Sequence, residues 1–164
     1  MRFVVPVLAT SVVVLACSGP VVAQKADDQI APKSVELQKQ GETLHGAGKF
    51  EQAEDALEAS LAVDPRNRWA FVDLARVAEK QQLFGKAVRM ANKALLLEPN
   101  DPDAIAVQGE AMVELGATAR AQANLQKLQT ICAKGCPQLS QLSGAITRGP
   151  TVAANKAPPS PKSN

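Results

Sequence analysis

The residues of this chain with the clearest capacity for chemistry are two cysteines near its carboxyl-terminal end. Cys132 and Cys136 are separated by three residues, the last of which is Gly135, and Pro137 follows them directly. Gly135 can adopt a positive φ and Pro137 suits the first turn of a helix, so the chain can bend and bring the two thiols within bonding reach. In an oxidising compartment this pattern favours a structural disulfide that fastens a following helix.

Two other uses of the cysteine pair stay open at this stage. A thioredoxin-like site has two residues between its cysteines and a preceding strand, whereas this pair has three and follows a predicted helix. A zinc site needs four ligands, and the single histidine, His45, is distant in sequence. The sequence therefore predicts no metal and no cofactor, and a thiol-disulfide enzyme using Cys132 and Cys136 is kept as an alternative function.

No nucleophile, base and orienting group stand together elsewhere in the sequence. There is no phosphate-binding glycine loop, and the acids follow no paired-carboxylate pattern. His45 is expected at a surface or a helix cap. Arg76 and Lys80, one helical turn apart, could hold a carboxylate, but nearby acids such as Glu79 favour pairing within the chain. We therefore expect a protein without catalytic residues.

Charge and aromatic content argue against a nucleic-acid partner. All 16 acidic residues lie between Asp27 and Glu114, and the formal net charge of the chain is +2. Such a mild imbalance is not typical of nucleic-acid binding. Tyrosine is absent and aromatic residues make up 3% of the chain, so there is no base-stacking surface.

The segment 1–23 has the layout of a secretory signal. Arg2 precedes an apolar run, a Ser-Gly-Pro break follows at 18–20, and Ala23 suits the position before a cleavage site. Removal of residues 1–23 implies export to the periplasm. Cys17 gives an alternative, because the residues before it partly resemble a bacterial lipoprotein box, and acylation there would produce an outer-membrane lipoprotein. Membrane attachment is expected only in that case.

The helices that would position these residues are encoded by a sequence unit that repeats along the chain. Pro65 and Pro99 close two successive copies of this unit, and each follows an acid and an apolar run. Small and aromatic residues recur at the same spacing as the prolines. The second copy has Ala75, Phe84, Ala87 and Ala94 at the positions of Gly41, Phe50, Ala53 and Ser60 in the first. A third copy begins at Pro102. Apolar residues recur every three or four positions within a copy, which predicts two amphipathic helices per unit.

This pattern resembles the tetratricopeptide repeat, a helix-turn-helix unit of about 34 residues with small residues where its helices cross. The resemblance implies an all-α fold, an α-solenoid of three repeats at about 34–67, 68–101 and 102–135. With a closing helix, the repeat domain is expected to span residues 34–147. Ser34 and Asp101 stand where helix N-caps are expected.

A C-terminal capping helix is predicted at 137–147, where Leu139, Leu142 and Ile146 would cover the last apolar edge. Residues 24–33 and 148–164 are rich in polar or small residues and proline, and they lack an apolar face. Both segments are predicted to be disordered, as a leader and a basic tail.

In tetratricopeptide arrays the first helix of each unit lines a concave surface that holds an extended peptide or a partner helix. The resemblance therefore places partner-binding residues at Gln38, Glu42 and His45; at Trp69, Val72, Asp73, Arg76, Glu79 and Lys80; and at Ala106, Glu110, Val113 and Glu114. Acids outnumber bases in this set, which favours a basic or amphipathic partner. Trp69 fits a groove anchor and packing between units equally well.

One subclass of this family grips the terminal carboxylate of its partner with lysines and asparagines on these faces. This chain has Gln38 and Glu42 where that clamp has lysine and asparagine, and Asp73 where it has asparagine. The sequence therefore does not predict a carboxylate clamp.

The predicted function is a non-enzymatic protein–protein interaction module, a periplasmic adaptor or assembly factor that binds a partner peptide or helix in the cell envelope. The alternative is an outer-membrane lipoprotein that supports pilus or secretion-system assembly, anchored at Cys17. Three repeats are near the lower limit for a stable array, so an exposed edge also allows two chains to pair as a homodimer.

Overall fold

A computed structural model describes residues 29–151. Over that range the chain forms seven helices and no strand, with the bounds α1 Pro32–Gly46, α2 Phe50–Val63, α3 Arg68–Lys80, α4 Phe84–Leu97, α5 Pro102–Glu114, α6 Thr118–Ile131 and α7 Pro137–Arg148. No helix in this part of the chain is long and apolar enough to cross a membrane. The predicted signal at 1–23, with Cys17, and most of the predicted tail lie outside the described residues.

The helices form two layers. Helices α1 with α2, α3 with α4, and α5 with α6 form three helix-turn-helix units, and each second helix also contacts the first helix of the following unit. The first helices and α7 contact one another in order along the array, α1 with α3, α3 with α5, and α5 with α7. Their layer is therefore the tighter, concave side. The α-solenoid of three repeats with a capping helix is confirmed.

The turn inside each unit has one backbone geometry, which recurs once per repeat. Gly48, Gln82 and Gly116 stand at this turn, with φ angles of 73°, 60° and 75°. A positive φ costs an L-residue roughly 1–2 kcal/mol, which explains glycine at two of the three positions. Gln82 adopts the same conformation in the turn between α3 and α4, although it carries a side chain.

Small residues lie where the two helices of a unit cross. Ala53, Ala87 and Ala121, at equivalent positions of the three units, have no exposed surface. A Cβ atom at Gly41 would lie 2.5 Å from Leu57 Cγ, so α1 and α2 can approach this closely only with glycine there. The periodic small residues therefore set the distance between helices.

Ser34 does not cap α1, contrary to the sequence prediction. The helix begins at Pro32, and its N-cap residue, Ala31, makes no side-chain cap hydrogen bond. Ser34 is fully buried, and its hydroxyl donates to the Ser60 carbonyl at 2.9 Å. The Asn67 amide in turn donates to Ser34 Oγ at 3.0 Å. A buried hydroxyl needs such partners, and here they join α1 to α2 and to the start of α3.

The residues just before α1 are attached to the end of α2. The Ala31 N–H donates to Asp64 Oδ2 at 3.0 Å, and Arg66 Nη2 donates to the Gln29 carbonyl at 3.2 Å. Hydrogen bonds from Arg66 and from the Ala31 N–H hold the pKa of Asp64 below its usual range. The predicted disordered leader at 24–33 is therefore wrong for its last residues, while its first part lies outside the described residues.

The capping helix α7 covers the last apolar edge, as predicted. Leu142 is fully buried, and Leu139 and Ile146 pack against the same cluster. Gly135 has a φ of 86° in the segment that leads into the helix. Burial of these three apolar side chains explains why the array ends here with a single helix.

The cysteine pair lies between α6 and α7. Cys132 Sγ and Cys136 Sγ are at bonding distance, and their Cα atoms are 5.7 Å apart, within the range of a disulfide. This geometry allows the predicted bond without movement of the backbone. The oxidation state of the pair in its natural compartment stays a prediction.

Candidate functional site

A chain of hydrogen bonds crosses the concave face from α1 to α7. Asp73 on α3 accepts hydrogen bonds from Gln38 on α1 and, at 3.1 Å, from Arg76 Nη1. Arg76 Nη2 also donates to Asp103 on α5, and Gln138 on α7 donates to the same Asp103 oxygen at 3.1 Å. We call these five side chains the groove network. They hold all four inner helices in register.

Two cavities lie in the concave face beside this network. The first, of about 200 Å³, is lined by His45, Arg76, Glu79, Lys80, Asp103, Ala106, Val107, Glu110 and Gln141. The second, of about 280 Å³, is lined by Glu79, Lys80, Gln82, Phe84, Glu110, Glu114, Ala145, Arg148 and Thr151. Because Glu79, Lys80 and Glu110 border both, we treat the two as one surface and call it the groove.

Glu79 and Glu110 give the groove an unusual electrostatic character. Burial and the neighbouring carboxyl of Glu110 raise the pKa of Glu79 to about 8. Burial also raises the pKa of Glu110. Neither carboxyl accepts a hydrogen bond from another side chain between residues 29 and 151. A cation entering the groove would favour ionisation of both groups, so its binding would release protons.

His45 lies at the edge of the groove, half-buried against Phe50, with the two ring centroids 5.9 Å apart. Burial and the nearby Lys80 lower its pKa. Its Nε2 is buried and has no hydrogen-bond partner within the described chain. Among residues 29–151 no three His, Cys, Asp or Glu side chains gather where they could hold a metal ion.

Comparisons with known proteins find one family model and several solved structures that are similar to this chain. The family model described as "Tetratricopeptide repeat" matches residues 44–111. Over this range the chain is similar to the tetratricopeptide repeat. No curated protein matches the chain.

Solved tetratricopeptide-repeat domains share the fold at low sequence identity. The Sgt2 domain from Aspergillus fumigatus is 19% identical, covers 82% of this chain and 90% of its own, and has a TM-score of 0.66. The first such domain of Spaghetti (RPAP3), bound to the HSP90 peptide SRMEEVD, is 20% identical, with coverage of 70% and 94% and a TM-score of 0.63. PcrH, in complex with the chaperone-binding region of PopD, is 20% identical, with coverage of 75% and 92% and a TM-score of 0.61.

Two of the predicted groove residues lie in the core of the repeats instead. Val72 is fully buried and packs with Ala94 and Ala104, and Val113 is 1% exposed. The prediction was wrong because these positions on the first helices face the neighbouring helix of the array, not the solvent. Ala106 is also nearly buried, yet it contributes to the wall of the first cavity.

Asp73 and Trp69, which were also predicted to bind a partner, do not line the groove as exposed side chains. Asp73 is 5% exposed; burial raises its pKa, and its bonds to Gln38 and Arg76 oppose that effect. Its carboxylate is therefore committed to the groove network. Trp69 is 43% exposed, lies outside both cavities, and stacks under the Arg68 guanidinium at 3.6 Å from the ring centroid.

The remaining predicted residues keep a place on the concave side. Lys80, Glu110 and Glu114 line the groove, and Gln38 and Arg76 belong to the groove network. Glu42 is exposed on α1 and lies outside the two cavities. The inner helices therefore present a mixed surface in which acids predominate.

Sequence reasoning missed the contribution of α7 to the site. Gln138, Gln141, Arg148 and Thr151 lie at or beyond this helix and take part in the network or line the groove. A signal was available, because α7 begins with a proline just as α5 does. Reading α7 as a fourth inner helix, and not only as a lid on the core, would have placed its polar face in the groove.

Proposed function

We propose that the chain is a non-enzymatic protein–protein interaction module that binds a partner peptide or helix along its concave groove. This proposal rests on two features found together: inner helices that are already held in place, and two acidic side chains that are available to a partner. The groove network fixes the inner helices, while Glu79 and Glu110 stand beside it without a hydrogen bond from another described side chain. A partner would therefore meet a surface that needs little reorganisation.

The charge of the groove supports a partner segment that carries lysine or arginine. The acids Glu79, Asp103, Glu110 and Glu114 line it against the bases Arg76, Lys80 and Arg148. A cation that enters the groove favours ionisation of Glu79 and Glu110, the two carboxyls whose pKa burial raises. The peptide SRMEEVD bound by Spaghetti is acidic, and that protein is a fold relative only. Opposite charge would make a basic or amphipathic segment the better fit here, because like charges across an interface are costly.

The cellular setting is proposed from the sequence alone. The secretory layout of residues 1–23 supports an exported adaptor or assembly factor of the periplasm. The alternative remains an outer-membrane lipoprotein anchored through Cys17, which supports pilus or secretion-system assembly.

Affinity capture from the native envelope tests the proposal. The parent protein is compared with a double variant, Glu79→Gln with Glu110→Gln, and with a control, Glu51→Gln with Glu58→Gln, on the exposed side of α2. We expect one partner to be captured by the parent and the control and to bind the groove variant at least about tenfold more weakly, the equivalent of about 1.4 kcal/mol.

Circular dichroism establishes that both variants are folded before the capture is compared. The captured partner is then measured against all three proteins by titration calorimetry, at two ionic strengths. Equal binding to the parent and the groove variant would place recognition outside the concave face and contradict the proposal.

A further inference from the structure

The chain leaves α7 and returns to the groove. Helix α7 ends at Arg148, and Gly149, with a φ of 74°, turns the backbone. The Thr151 N–H donates to Glu114 Oε2 at 2.8 Å, and the Thr151 hydroxyl donates to Glu114 Oε1 at 2.9 Å. Thr151 and Arg148 also line the second groove cavity. The last described residue therefore lies in the groove and not on the outer surface of the array.

The segment that follows has the composition of a ligand for this surface. Residues 152–164 contain Lys156 and Lys162 and no acid. They also contain three prolines, which disfavour a helix and favour extended backbone. A basic, extended segment can place its ammonium groups beside Glu79 and Glu110, and an approaching cation favours the ionised form of both carboxyls.

The segment is also long enough to reach the acids of the groove. Lys156 is five positions beyond Thr151, which allows a reach of about 17 Å in extended backbone. Thr151 and Glu79 line the same cavity, and Glu110 is part of that lining too. Both lysines can therefore meet groove carboxyls without any change in the described helices.

We propose that residues 152–164 bind in the groove of their own chain, with their lysines against Glu110 and Glu79, and compete there with an outside partner. This inference rests on the proposed function, because it takes the same groove as the binding surface. Covalent attachment gives a short segment an effective concentration on the order of millimolar, so a weak contact is enough for high occupancy. An outside partner would have to displace the segment, which sets a threshold for binding.

A peptide-binding experiment tests this directly. A fluorescent synthetic peptide of residues 152–164 is titrated against the full mature chain and against a chain that stops after Thr151, which keeps all seven described helices. We expect the shortened chain to bind the peptide at least about tenfold more tightly, since its groove is not already filled. The full chain with Lys156→Glu and Lys162→Glu should bind as the shortened chain does, and the control Lys134→Glu should bind as the parent does.

Carbodiimide crosslinking identifies the contact. The full chain should give bonds from Lys156 or Lys162 to Glu79 or Glu110, at a rate that does not depend on protein concentration. Equal peptide affinity for the full and shortened chains, or no binding to either, would overturn the proposal. Crosslinks that form only between two chains would also overturn it, because the groove would then hold the segment of a second copy. None of these results would affect capture of an envelope partner, which tests the groove separately.

Discussion

Arg76 is the side chain on which the order of the inner helices depends most. It donates to Asp73 on its own helix and to Asp103 on α5, and both acids accept a further bond from a glutamine of another inner helix. Its removal would leave one buried and one half-buried carboxyl without their charged partner, which costs folding free energy. A substitution at Arg76 would therefore change stability together with binding, whereas Glu79 and Glu110 report on binding more cleanly.

The titration of Glu79 is the first prediction at this scale. Its pKa is raised from an ordinary 4.5 to about 8, so the folded protein holds a proton that the unfolded chain releases between these values. This group's contribution to stability is fully present below pH 4.5 and is lost as the pH rises through 8. Carbon-13 NMR of the carboxyl groups, followed as a function of pH, should show a titration midpoint near pH 8 for Glu79.

Thermal melts provide the matching stability measurement. Glu79→Gln cannot ionise, so its melting temperature relative to the parent should rise between about pH 5 and pH 8. Glu58→Gln, at an exposed site on α2, serves as the control and should follow the parent at both pH values. A carboxyl midpoint close to 4.5 would contradict the burial of Glu79 in the groove.

At the scale of elements, α7 depends on a single glycine for its position. A Cβ atom at Gly109 on α5 would lie 2.6 Å from Leu142 Cδ1, and Leu142 is fully buried in the last core cluster. Leu142 has no exposed surface, so a shift of its side chain would disturb the neighbours that enclose it. The close crossing of α5 and α7 therefore requires glycine at this position.

We expect Gly109→Ala to lower the free energy of unfolding by about 1–3 kcal/mol, the usual cost of overpacking a core. Gly144→Ala is the matched control, because a Cβ atom there meets nothing within 4 Å and alanine favours a helix by roughly 0.5–1 kcal/mol. Urea unfolding followed by circular dichroism measures both. A Gly109→Ala protein as stable as the parent would show that α7 does not pack as described.

The cysteine pair between α6 and α7 can be tested by titration of free thiols. We expect no free thiol at Cys132 or Cys136 when protein from an oxidising compartment is denatured without reductant and titrated. Replacing both by serine should cost less than roughly 3 kcal/mol, because the closed loop is short. Insulin-reducing activity that disappears in the double variant would instead favour the thiol-disulfide enzyme.

At the scale of the whole molecule, the repeat units form one continuous stack. Buried clusters run from the α2–α3 contact, with Leu57 and Leu74, to the α5–α7 contact, with Ile105 and Leu142. Each unit buries apolar surface against the next, so its stability depends on its neighbours. The mixed-charge groove is a property of this stack, since each inner helix contributes only part of it.

Removal of the predicted secretory signal would change the mass of the whole chain. We expect intact mass spectrometry of protein from the periplasmic fraction to give a product that begins at Gln24. That result would exclude a lipid anchor, because Cys17 would have been removed. Membrane-bound protein with a diacyl or triacyl mass on Cys17 would favour the outer-membrane lipoprotein and exclude free diffusion.

The sequence by itself determined the repeat, the order of the helices and one of the two predicted N-caps. Asp101, for example, was predicted as an N-cap, and its side chain accepts a hydrogen bond from the Ala104 N–H at 3.0 Å. Prolines, turn glycines and the constant spacing of the repeat act within a few positions of themselves, so they can be interpreted without knowing what lies across the fold.

Only the tertiary structure decided which residues of the inner helices form the groove. Val72 and Lys80 lie on the same helix, but one is enclosed by neighbouring units and the other lines a cavity. The raised pKa of Glu79 and the bond from Gln138 to Asp103 likewise depend on residues from other helices. Burial and electrostatic environment are set by the side chains that surround a group, and the repeat pattern of one chain segment does not specify them.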